Sequence, residues 1–178
     1  MKHNSSSFKW RHYAPDVILL CVRWYCRFQL SYRDLEEMMR ERGLEVDHST
    51  VFRWVQRYAP EINKRIRQHL KMSGTSYRVD ETYIKVGKQC KYLYRAVDKK
   101  GQTIEFMLSA KRDVSAAKQF FKKKVRASQC LKSFHTAERT LEGLEAVNMM
   151  RKGQVKRLAG SDAQAQAQFV LNLFQIAA

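Results

Sequence analysis

The chain has 178 residues, of which 34 are Lys or Arg and 17 are Asp or Glu, for a formal net charge of +17. An apolar content of 44% supplies a core and excludes global disorder. The positive excess runs along the whole chain, and a field of that sign attracts polyanions, with DNA or RNA the obvious candidates.

Four cysteines, Cys21, Cys26, Cys90 and Cys130, form no C-x-x-C pair and have no accompanying His cluster. Their spacing argues against a zinc site and against a disulfide framework, and fits a reducing, cytoplasmic setting. Cys21 and Cys26 read as small apolar helix residues. No secretory signal is expected. The longest apolar stretch, Val17–Cys21, is far too short to span a bilayer.

Residues 1–13 start polar and turn basic and aromatic, from Phe8 to Tyr13. Two readings stand side by side: an arm that touches DNA, or Phe8 or Trp10 packed on the first helix. That helix is expected over Pro15–Phe28, with Val17, Leu20, Cys21, Trp24 and Phe28 on one face. A second helix follows Ser31, an N-cap with Asp34 three residues on and Leu30 and Leu35 at the staple positions. Gly43 ends it.

The third helix repeats the pattern, with Asp47 as its cap and Val46 and Val51 as the staple. Val51, Trp54, Val55, Tyr58 and Ile62 are predicted to face inward. Ser49, Thr50, Arg53, Gln56 and Arg57 are predicted to face outward. Pro60 is expected to kink or break the helix, whose remainder reaches about Leu70. Two capped helices joined by a short Gly-containing turn spell a helix-turn-helix, in which the second helix enters the major groove. Arg53 suits guanine, Gln56 suits adenine, and Ser49 and Thr50 would meet phosphates or bases. Arg33 and Arg57 complete the candidate DNA-binding set. The bland alternative is a three-helix bundle with a solvated polar face; the charge favours DNA.

Residues 71–76 read as a linker, after which the period changes from helical to alternating. Strands are predicted at Tyr77–Val86, Lys91–Val97 and Gln102–Ala110, joined by tight turns into an antiparallel meander. Asp80 lies in the middle of the first. A helix is predicted over Val114–Val125 and another over Thr136–Arg151, and the tail from Ser161 suits a short amphipathic helix.

Six stretches together resemble one family: Leu30–Met39, Val46–Pro60, Val79–Val86, Lys91–Asp98, Phe134–Thr140 and Met150–Gln154. They look like the bacterial transposases of the insertion sequence six family, in order and over nearly the whole chain. The resemblance implies an α+β protein: a helix-turn-helix that binds element ends, then a ribonuclease H-like catalytic domain. Such enzymes hold two divalent metals, usually magnesium, in an Asp-Asp-Glu triad for in-line displacement at phosphorus. Its first carboxylate corresponds to Asp80, a catalytic and metal-binding position. The implied partners are double-stranded DNA at terminal inverted repeats, and a second copy or an intact transposase; no membrane is expected.

The chain departs from the family near Lys122–Val125, where a fourth strand with the second Asp and a later helix with the Glu should follow. Neither has a counterpart. Glu81 adjoins Asp80 on the opposite face. Asp98 belongs to a turn and Asp113 to a helix cap. Glu138, Glu142 and Glu145 are expected to pair with Arg139 or stay solvated. The expected organisation is a helix-turn-helix at 1–70, a linker at 71–76, a truncated ribonuclease H-like domain at 77–125 and a helical segment at 126–178. The expected function is that of a transposase-family protein impaired in catalysis; the alternative is a non-catalytic regulator or inhibitor of the intact transposase. Loss of the fourth strand would leave the first strand as a sheet edge.

Overall fold

The computed structural model describes residue 8 and residues 12–71, 76–86, 89–111 and 132–176, with backbone alone for 132–134. Within them the architecture is α+β, with five α-helices and one three-stranded antiparallel sheet. In chain order these are α1 (Pro15–Arg27), α2 (Tyr32–Arg40), α3 (His48–Ile66), β1 (Tyr77–Val86), β2 (Gln89–Asp98), β3 (Thr103–Ser109), α4 (Lys132–Arg151) and α5 (Ala163–Leu173). The helix predicted over Val114–Val125, together with Asp113, Cys130 and the stretch at Lys122–Val125, lies outside the described residues.

The chain divides into two compact units, residues 1–71 with 139–178, and residues 72–138. In the first, local chemistry sets the helix ends. Ser31 and Asp34 form a reciprocal capping box, with the Asp34 N–H donating to Ser31 Oγ at 3.2 Å and the Ser31 N–H to Asp34 Oδ2 at 2.7 Å. Gly43 at φ +73° closes the other end of α2. Its N–H reaches the Arg40 carbonyl and the Leu44 N–H reaches Met39, the bond pair of a Schellman closure. Ser31→Ala should lower stability by about 1 kcal/mol in a urea titration, since it orphans the N–H of Asp34.

All five residues predicted to face inward from α3 are buried. They share a core with Leu19 and Val22 of α1 and with Leu35 and Met39 of α2. The C-terminal segment joins the same core through Val147 and Met150 of α4 and Val170 and Leu173 of α5. Phe8 belongs there too, stacked on Tyr58 with ring centroids 4.8 Å apart and edge-on to Phe174. For Phe8, packing is the reading that holds.

Pro60 does not break α3, which runs unbroken from His48 to Ile66. A proline removes the donor that would bond the carbonyl four residues back, here Gln56. Arg139 Nη1 donates to that carbonyl instead, at 3.4 Å. A bond between helices thus stands in for the one the helix lacks.

The second unit holds the sheet, in the order β1-β2-β3. At the turn after β2 the buried Asp98 carboxylate accepts from the Lys100 and Gln102 N–H groups, at 2.8 and 2.9 Å. Six of the ten residues of β2 are buried, but none of β1 is. Among the described residues β1 is the sheet edge, paired with β2 alone.

Candidate functional site

The helix pair α2–α3 is held by a clasp at its turn. Glu36 Oε2 accepts from the His48 backbone N–H at 3.2 Å and lies 2.9 Å from His48 Nδ1. Arg40 holds the other Glu36 oxygen at 3.2 Å. Asp47 caps α3, accepting from the Ser49 N–H at 2.8 Å and from the Ser49 hydroxyl. These two bonds, the hydroxyl's first, hold its carboxyl below the usual carboxylate range. Glu36, Asp47 and His48 also form the one group of three potential metal ligands among the described residues. Capping and ion pairing account for that geometry without a metal.

Arg33, Arg53 and Arg57 are exposed, the last two one turn apart on α3, while Ser49 and Thr50 are half-buried in its first turn. The Ser49 hydroxyl is turned to Asp47, which occupies its single proton. Gln56 requires a correction. It does not face outward: it is 8% exposed, and its Nε2 donates to Thr140 Oγ1 at 2.9 Å. The Thr140 hydroxyl also meets Tyr32, whose ring stacks on Tyr25 at 4.3 Å. Burial, and next the hydrogen bond that its O–H donates to Tyr25, raise the Tyr32 phenol above its ordinary range. Helix α4 therefore covers the Gln56 side of α3 and removes Gln56 from any base-reading role in this structure. Sequence reasoning missed Arg139 and Thr140 as the residues that seat α4; the signal that could have found them is the carbonyl Pro60 leaves open.

Asp80 stands on β1 opposite Arg95 of β2, with its side chain 38% exposed and Arg78 Nε 3.7 Å from its Oδ1. Arg78 is itself 75% exposed, so water screens the pair. Glu81 is opposite Tyr94, on the other face. Glu145 of α4 is buried, which corrects the solvated alternative expected for it. A two-metal centre needs carboxylates that converge on the same ions. Among the described residues Asp80 belongs to no group of three potential ligands, so these residues do not fit such a centre.

Residues 74–129, which span all three strands, match a family model described as a DDE domain. Over 119 residues the chain is 43% identical to a transposase for the insertion sequence-like element IS431mec of Staphylococcus aureus, covering 67% of this chain and 53% of that protein. It is 42% identical over 119 residues, with the same coverage, to the transposase for insertion sequence element IS257 in transposon Tn4003 of the same species. An uncharacterized protein of Yersinia pseudotuberculosis is 31% identical over 88 residues, 48% of this chain and 82% of that protein. The chain spans about half the length of the transposases it matches. No solved structure matches it.

The class these findings define is the DDE-type transposase, with Asp80 on the first strand of the matched domain. Within that class, these findings support the insertion sequence six family.

Proposed function

We propose that the chain binds duplex DNA at the ends of an insertion sequence through α2 and α3 used as a helix-turn-helix, and that it is impaired in cutting and joining DNA. The observation that carries the binding reading is the exposed pair Arg53 and Arg57, one turn apart on a helix whose cap and turn are locked. Arg33 on α2 and a net charge of +17 support it. Arg53 is assigned to a base edge, Arg33 and Arg57 to phosphates, and Thr50 to the backbone at the helix start. We read residues 1–70 as the DNA-binding domain, 71–76 as a linker and 77–125 as a partial ribonuclease H-like domain, acting in the cytoplasm. Among the described residues no helix is long and apolar enough to cross a membrane.

The impairment rests on Asp80 having, among the described residues, no two partners that complete a group of three potential metal ligands. Magnesium in the intact family would need them, so no step is assigned to a metal here. DNA binding without catalysis makes the chain a competitor of an intact transposase for element ends.

Fluorescence anisotropy on an element-end duplex and a scrambled one tests the binding. Arg53→Ala should cut the preference for the end sequence roughly tenfold, the discrimination of one bidentate base contact. Arg57→Ala should weaken both duplexes equally and lower the salt slope by about one. Absence of binding to any duplex at low salt would refute the proposal. Magnesium-dependent strand transfer lost in Asp80→Ala would overturn the impairment alone.

A further inference from the structure

Strand β1 carries an exposed face that is both apolar and charged. Tyr77, Val79 and Tyr83 are exposed, Tyr83 by 60%. Alternation puts Glu81 and Lys85, also exposed, on the same face. Beyond its ladder to β2, β1 has no other strand neighbour among the described residues. A ten-residue edge of this kind is a template for another strand.

We propose that β1 pairs antiparallel with β1 of a second copy of this chain, about a two-fold axis through Tyr83. Directly opposed residues of an antiparallel pair point to the same face, and a two-fold axis perpendicular to the sheet keeps every side chain on its own face. The axis therefore passes through a residue, never between two. An axis at Asp80 or Glu81 opposes like carboxylates, which is unfavourable. At Thr82 it opposes Val79 to Lys85 and Glu81 to Tyr83, with no directly opposed charge pair. At Val79 it pairs Arg78 with Asp80 but overlaps only the five residues Tyr77–Glu81.

At Tyr83 the overlap is Asp80–Val86, seven residues of each strand. Glu81 then opposes Lys85 twice, Thr82 opposes Ile84 twice, and Tyr83 opposes its copy. Within one strand Glu81 and Lys85 stand about 13 Å apart, too far to pair with each other. A second copy brings them together. Tyr83 already meets Tyr92 of β2 edge-on at 5.4 Å, so the pairing extends one aromatic row across four strands. The self-complementary charges make a second copy the occupant, because the same strand supplies both halves of each pair.

Sedimentation of the full chain without DNA, across a concentration series, tests this. A concentration-dependent dimer is expected. Glu81→Lys and Lys85→Glu should each weaken it roughly tenfold or more, because both attractive pairs turn repulsive. The double variant, which exchanges the charges, should restore it to within about threefold of the starting chain. General charge repulsion predicts instead that the two single variants act in opposite directions, and that result would overturn the proposal. So would a monomer at every concentration, aggregates without a defined dimer, or a dimer that either single variant leaves unchanged or the double variant leaves weakened. Far-UV circular dichroism confirms that each variant keeps its helices, so that loss of dimer reads on β1.

Discussion

Trp54→Ala is expected to lower the free energy of unfolding by about 3–5 kcal/mol, the range for deleting a large buried aromatic. Trp54 is 3% exposed and faces the edge of Tyr13 at 5.2 Å. Its neighbours in the core come from helices whose ends are fixed by caps and a Schellman closure, so the hole left behind cannot collapse fully. Trp24, by contrast, is half-buried under the Arg42 guanidinium, 4.7 Å from its ring, and its loss should cost less. Urea unfolding followed by far-UV circular dichroism measures both. A Trp54→Ala loss under about 1 kcal/mol would show that this core does not hold the helices together.

The second large effect is expected from Gly143→Val, about 3 kcal/mol by the same measurement, at the upper end of overpacking costs. A Cβ at Gly143 would lie 2.5 Å from Ala59 Cβ, 2.8 Å from Cys26 Sγ and 3.2 Å from Ala59 Cα. Those atoms sit on α3 and α1, close to backbone, and no flexible side chain can swing aside. Even Gly143→Ala should destabilise. The helix propensity gained, about 1 kcal/mol, is less than the roughly 2 kcal/mol needed to push α4 away. Ala59→Gly should recover part of that loss by making room. Cys26 is buried at this contact, and burial pushes its thiol up to about 12.

How far the sequence was legible follows from the range of the interactions involved. Helices α1 to α3 were readable because their signals are local: Pro15 in a first turn, Ser31 with Asp34, Gly43, Asp47, and on α3 an apolar period of 3.6. On α1 the same period picked the wrong face, since Ile18, Leu19, Val22 and Cys26 are buried while Phe28 is 49% exposed. The three strands were readable from alternation and turn residues, and their ends fall within two residues of the expectation. Asp80 could be placed on its strand for the same reason. What failed was facing and docking. Gln56 looked solvent-facing because polarity is all that a single helix period reports. Its burial depends on Thr140, 84 residues away. Pro60 looked like a break because the donor that answers it is Arg139, on another helix.

The sequence by itself determined the family, the charge, the caps and strands, and the position of Asp80, all through local patterns or the identity of runs of residues. Only the tertiary structure decided that the C-terminal helices complete the core of the N-terminal helices, that Gln56 is covered, and that β1 stands exposed at an edge of the sheet among the described residues. The physical reason is the same in each case. Burial and edge exposure depend on which distant segments meet, and a missing backbone donor or a glycine without a Cβ announces a contact without naming its partner.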